Sequence, residues 1–160
     1  MSEIDPRRFR TACGQFLTGV TIVTTLDAAG SPAGLTANSF TSVSLHPPLV
    51  LVCLGRDSLT IEAFEAGNGF AVHVLATDQQ PLAQRFSTKG IERFEGVDWS
   101  PGRSGIPVIS GALAVFECDP AATYDGGDHV IQVGQVRAMT FEDTDTAALG
   151  YFRGRYVTSP

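Results

Sequence analysis

The chain has 160 residues, 43% of them hydrophobic and 18% charged, with 17 acidic against 11 basic side chains and a formal net charge of −6. A chain of this size buries about 70% of its unfolded surface, so it can build a core without metal or disulfide staples, and its apolar content excludes intrinsic disorder. The charge balance argues against a nucleic-acid binder, which carries a basic excess to displace counterions; any anionic guest must be held by a local device, because the overall field repels it.

A helix is predicted first. Asp5 caps it and Pro6 suits its first turn. Phe9, Ala12, Cys13, Phe16 and Leu17 repeat as one apolar face, and Gly19 ends it. Val20 to Leu26 then turns β-branched, Asp27 to Gly30 makes a turn, and Gly34 to Phe40 resumes an extended pattern, so a hairpin is predicted. Pro47 and Pro48 punctuate, and Leu49 to Leu54 is an apolar run too short for a helix. Ser58 to Ala66 is a short helix capped by Ser58 and closed by Gly67 and Gly69.

Phe70 to Ala76 is the next strand. Thr77 and Gln80 have capping-box spacing before a short helix carrying Leu82, Ala83 and Phe86. Gly90 to Gly111 is predicted as mostly loop. Two long extended runs follow, Ala112 to Tyr124 and His129 to Phe141, joined by Asp125-Gly126-Gly127-Asp128, in which Gly-Gly is a hairpin signal. The tail from Tyr151 to Tyr156 mixes aromatics with arginines. These elements do not alternate as strand-helix-strand. The expectation is therefore a single mainly β domain over residues 1–160, a closed antiparallel barrel with a few peripheral helices. A small barrel leaves little interior room, so a cofactor would lie outside it or between two barrels.

No apolar run reaches the roughly 18 residues of a membrane-spanning helix. The start MSEIDPRRFR is charged and lacks the apolar stretch of a secretory signal. Cys13, Cys53 and Cys118 are odd in number and far apart, which suggests reduced thiols in a cytoplasm. Neither they nor His46, His73 and His129 show the short paired spacing of zinc sites, so no metal is expected.

The densest polar cluster runs from Thr36 to Ser44. On a strand, Thr36, Asn38, Ser42 and Ser44 could share one face. This is either an uncharged wall for a heteroaromatic ring or a solvated strand face followed by a turn. Ser58 and Thr60 open a helix whose free amides suit an anion, or Ser58 only caps it. Arg85 offers a fork to phosphate, or is a surface arginine beside a core Phe86. His129 stands at the hairpin turn with Asp125 and Asp128 nearby and could bond a substrate or shuttle a proton. His73, mid-strand among apolar residues, reads as a satisfied core histidine. Arg153 and Arg155, flanked by aromatics, either grip something planar and negative or fold back on the protein. No Gly-x-Gly-x-x-Gly opens a helix after a strand, so a nicotinamide cofactor would not sit in a Rossmann fold.

Taken in order, Gly19 to Thr25, Gly34 to Leu45 with Pro47-Pro48, Phe70 to Ala76 with Gln80, Gly127 to His129 and Gly154 to Tyr156 resemble the short-chain flavin reductases, the reductase partners of two-component flavin-dependent monooxygenases. The resemblance implies an FMN-binding split β-barrel working as a homodimer, with reduction of FMN or FAD by NADH or NADPH and delivery of reduced flavin to a monooxygenase. Few basic residues are available for a 2′-phosphate, which favours NADH. The resemblance puts Thr36, Ala37, Asn38 and Ser39 at the isoalloxazine edge. Ser42, Val43, Ser44, Cys53 and Leu54 would hold the ring and ribityl chain. Ser58, Thr60 and Arg85, with Phe86 and Ser87 beside it, would meet the phosphate. His129 and the tail Phe152, Arg153, Gly154, Arg155 and Tyr156 would face the nicotinamide. At position 73 the family often shows asparagine. Alternatives are a tight flavin-binding oxidase or electron carrier on the same fold, and a non-catalytic ligand-binding barrel.

Overall fold

β-Branched and alternating segments dominate the chain, and strands dominate the computed structural model, which describes residues 4–158. In chain order the elements are α1 (Pro6–Cys13), β1 (Thr18–Gly19), β2 (Thr21–Leu26), β3 (Pro32–Ala37), β4 (Thr41–Leu45), β5 (Pro48–Gly55), α2 (Ile61–Glu65), β6 (Phe70–Val74), α3 (Gln80–Ser87), β7 (Trp99–Pro101), β8 (Pro107–Ile109), β9 (Ala114–Gly126), β10 (His129–Phe141), β11 (Leu149–Phe152) and β12 (Arg155–Thr158). Seven strands form one antiparallel sheet in the order β3-β2-β6-β9-β10-β5-β4. A three-stranded sheet β1-β11-β12 and the pair β7-β8 complete the set among the described residues.

The expected hairpins are present. Asp27 Oδ1 accepts the amides of Ala29 and Ser31 at 2.9 and 2.8 Å, which fixes the β2–β3 turn. β9 and β10 pair from Ala114↔Phe141 to Gly126↔His129, with irregularities at Val133/Gly134 and Val136/Ala138. Gly134 is required there, because a Cβ would run into the Phe70 ring and the Cys118 side chain.

Several boundaries differ from the sequence reading. The first helix stops at Cys13, one turn before Phe16, and buries none of its residues. Phe9 is 60% exposed and Phe16 75%. Asp5 does cap it, accepting from the Arg7 amide at 2.9 Å. Ser58 is not the cap of the next helix. Thr60 holds that position, and Ser58 Oγ instead accepts from the Thr60 amide at 3.3 Å within the preceding turn. Gln79, not Gln80, reaches back to the Ala76 amide at 3.1 Å. The stretch predicted as loop contains β7 and β8, and the tail is a hairpin. Arg153 (φ 49°) and Gly154 (φ 78°) both adopt left-handed backbone at its turn, the twist-matched geometry of tight hairpins.

Two apolar clusters hold these layers. One joins Val23, Val52, Leu54, Phe70 and Val72 of the seven-stranded sheet, whose end strands β3 and β4 are not paired with each other, so the expected closed barrel is not formed by its hydrogen bonding. The other packs Phe86 and Ala83 of α3 on Ile22, Leu75 and Leu149. Phe86 is fully buried, which stabilises the fold by roughly 1.5–3 kcal/mol. It meets Phe94 edge-on at 5.0 Å between centroids. Gly34 permits this close approach, since a Cβ there would lie 3.0 Å from the Phe86 ring. The result fixes α3 across β3 and creates the groove described next.

Candidate active site

Two adjoining grooves share one wall of Thr36, Asn38 and Ser87. The first, about 280 Å³, is floored by Ala37, Ser39 and Cys53 and reaches Ser58, Lys89, Arg93 and His129. The second, about 400 Å³, is closed by Val20, Gln84, Tyr151, Gly154 and Tyr156. Most of the residues expected around the flavin ring therefore meet in one place, with part of the tail next door.

Backbone demands dictate the chemistry of this wall. The Thr36 hydroxyl donates to the Ala83 carbonyl at 2.6 Å, tying β3 to α3. The Ser87 hydroxyl donates to the Gln84 carbonyl at 2.8 Å. Ser39 Oγ accepts from the Cys53 amide at 2.9 Å and donates to the Cys53 carbonyl at 3.0 Å. One side chain thus fills both places a neighbouring strand would fill on β5, just where β3 bends into β4. These hydroxyl protons are committed to carbonyls, so toward the groove Thr36 and Ser87 can only accept. The exposed Asn38 amide has no side-chain hydrogen bond among the described residues and keeps its donors.

His129 opens β10 opposite Gly55. Its Nδ1 lies 2.7 Å from Asp128 Oδ1. That hydrogen bond, with the histidine charge, holds the Asp128 carboxyl below the usual carboxylate range. Gly55 lies beside the other ring nitrogen, where even a Cβ would stand in ordinary contact, 3.8 Å from Nε2. Arg56 braces the turn beneath. Its Nη2 meets Asp125 Oδ1 at 2.7 Å and its Nε donates to the Gly127 carbonyl at 3.0 Å. The hydrogen bond and charge of Arg56 hold Asp125 below its ordinary range too. His129 thus lies in the first groove, whereas Gly154 and Tyr156 line the second. Burial pushes the pKa of the Tyr156 hydroxyl up.

Other expected residues lie elsewhere. Ser42, Val43 and Ser44 are on the edge strand β4, outside both grooves of this chain. The Leu54 side chain is in the core, whereas Phe86, also fully buried, belongs to the lining of the first groove as expected. Thr60 adjoins Ser58 (Oγ1 to Oγ 2.9 Å) but lines a separate cavity of about 540 Å³. Arg85 turns to the far side of α3, where Nε and Nη2 donate to the Arg93 and Glu92 carbonyls, each at 2.8 Å. Arg153 folds back, over the Phe152 ring at 5.0 Å and onto Gln15 Oε1 at 2.9 Å. Arg155 is exposed and lines neither groove.

Lys89 and Arg93 are the cations that do reach the first groove, and the sequence reading passed over both. Lys89 carried a signal, as the only lysine in the chain. Tyr151 was also missed. It faces Tyr156 across the tail hairpin, rings 5.4 Å apart. His73 is the satisfied core histidine expected. Its Nε2 accepts from the Ile109 amide at 3.0 Å, so Nδ1 carries the proton and donates to the Ile22 carbonyl at 3.0 Å. Burial lowers its pKa to about 4.

Residues 13–160 match the flavin reductase like domain, and the chain belongs to that family. A probable flavin reductase of Rhizobium meliloti is 49% identical over 96% of this chain, which spans 49% of that protein's length. The reductase subunit HsaB of a flavin-dependent monooxygenase from Rhodococcus jostii is 43% identical over 96% of the chain and 78% of HsaB. Among solved structures, the NADH:FAD oxidoreductase SgcE6 of Streptomyces globisporus, in complex with NAD and FAD fragments, superposes with a TM-score of 0.88 at 40% identity, covering 98% of this chain and 96% of SgcE6. No helix among the described residues is long and apolar enough to cross a membrane.

Proposed function

We propose that the chain is an NADH-dependent flavin reductase whose flavin is a substrate, taken up, reduced and passed to a flavin-dependent monooxygenase. The observation that carries this reading is the pair of grooves joined along Thr36, Asn38 and Ser87. A hydride passes between two flat rings only when they lie face to face, and two joined concavities with a common uncharged wall suit that need. FMN or FAD supplies the hydride acceptor and the nicotinamide the donor.

In this reading the first groove takes the flavin ring against Ala37, Ser39 and Cys53. Its phosphate end points toward Ser58, Lys89 and Arg93 rather than Arg85. The Asn38 amide and backbone N–H groups supply the donors that stabilise charge on the reduced ring. Tyr151 and Tyr156 wall the nicotinamide side. His129, braced by Asp128, presents Nε2 to the reacting rings. A split barrel paired as a homodimer would bring the edge strand β4, with Ser42, Val43 and Ser44, to the site. Exposed Val43 and Leu45 on that strand support such pairing. The chain is read as one domain acting in a cytoplasm, a setting that three free thiols favour.

The test mixes the protein with FMN or FAD and NADH and follows the loss of absorbance at 340 nm. Flavin-dependent oxidation of the nicotinamide is the expected result. Its absence with either flavin and with both NADH and NADPH overturns the proposal. Flavin that stays bound one-to-one through dialysis, without turnover, would point instead to an electron carrier.

A further inference from the structure

The mouth of the first groove carries a carboxylate where a phosphate-binding site would want none. Asp57 and Lys89 both line it, and their side chains meet across it, Asp57 Oδ2 to Lys89 Nζ at 3.3 Å. The two come from different segments, the turn after β5 and the stretch after α3. Gly55 allows the carboxylate to fold inward, since a Cβ at Gly55 would stand 3.0 Å from Asp57 Oδ1. Arg93, the other cation there, is half-buried and already bonded, Nη1 to the Gly34 carbonyl at 2.7 Å and Nε to the Thr88 carbonyl at 3.1 Å. Lys89 is therefore the cation free to swing, with 66% of its side chain exposed.

An exposed ion pair of this kind is weak and exchangeable. We propose that Asp57 is a specificity-determining residue that competes with the guest's phosphate for Lys89, so that the site limits its own grip on phosphorylated flavin. The inference rests on the flavin reading above and adds a role for a residue that reading leaves out. When a phosphate enters, Lys89 must leave Asp57. The carboxylate then stands unpartnered beside a group carrying up to about two negative charges, and like charges a few ångströms apart repel even in water. Entry is still permitted, because Lys89 guards the mouth rather than filling it. Departure of the reduced product is hastened by the same repulsion. For a protein that hands its product to another enzyme, fast release is useful.

The experiment compares FMN with riboflavin, which lacks the phosphate, by quenching of flavin fluorescence on the full chain. Asp57→Asn is expected to bind FMN about five- to tenfold more tightly than the wild type, with riboflavin unchanged. The gain is expected to shrink in high salt and in a Lys89→Met background. Asp57 is 85% exposed on its side chain, so the fold does not depend on it; Asp57→Ser repeats the measurement with a different polar replacement. Unchanged FMN affinity in both variants overturns the proposal, as does equal tightening of riboflavin. A wild type that binds neither flavin overturns the flavin reading itself, and this inference with it.

Discussion

His73 and His129 are the same residue type in opposite circumstances. His73 is fully buried, with both ring nitrogens bonded to backbone of β2 and β8. His129 has half its side chain exposed, one nitrogen held by Asp128 and the other facing the groove. The buried ring is a piece of scaffold that stays neutral because desolvation disfavours its charge. The exposed ring is a tool, because its free nitrogen can meet a guest. What separates them is the number of nitrogens the fold has already claimed.

The largest expected effect falls on the scaffold ring. His73→Ala leaves the Ile109 amide without its acceptor, removes a hydrogen bond from the Ile22 carbonyl and opens a cavity, and should lower unfolding stability by roughly 3–4 kcal/mol, measured by urea denaturation. Titration gives an independent check. The folded state lowers the His73 pKa to about 4 from the 6.5 of an unburied histidine. The unfolded chain therefore binds the proton more readily, and stability should fall as pH drops from 6.5 to 4, by up to about 3 kcal/mol. His73→Asn should flatten the slope in that window. Equal slopes in wild type and variant would break the contrast.

Next in size is Gly134→Ala, where the added methyl meets the Phe70 ring and Cys118; a loss of roughly 2 kcal/mol is expected in the same assay. His129→Ala should do the reverse of His73→Ala. Stability should move by no more than about 0.5 kcal/mol, while flavin-dependent NADH oxidation drops about tenfold, the worth of one lost hydrogen bond. A Tm shift as large as that of the His73 variant would erase the distinction. Smallest of all is Arg85→Ala. Its guanidinium serves the loop carbonyls of Glu92 and Arg93, so FMN and riboflavin affinities should change equally, if at all.

Periodicity and turn chemistry made most strands legible. The Asp27 turn, the β9–β10 turn at Gly127-Asp128 within the expected Asp125 to Asp128 segment, and the capped start of α1 all lie where local residues put them, because each depends on neighbours in the chain. β7 and β8 were not legible, since three-residue strands bounded by glycine and proline carry no alternation. The site was half legible. The cluster from Thr36 to Ser39 and His129 were each open to two readings by composition; the family resemblance put them at a site, and the structure brings them to one groove. Arg85 misled because a helix-end arginine looks the same whether it faces a guest or a loop carbonyl, and only the path of residues 92–93 decides. Lys89 and Arg93 enter the groove by that same long-range path.

The inward-turned hydroxyls of Thr36 and Ser87 have a consequence for selectivity. These two hydroxyls offer lone pairs alone, so the part of a molecule lying against them must bring hydrogens of its own, while the Asn38 amide supplies the donors of the same wall. Methylating a guest nitrogen that faces the two hydroxyls should then harm recognition. The barrier lies in the backbone carbonyls of Ala83 and Gln84, which no side-chain replacement elsewhere in the groove would alter.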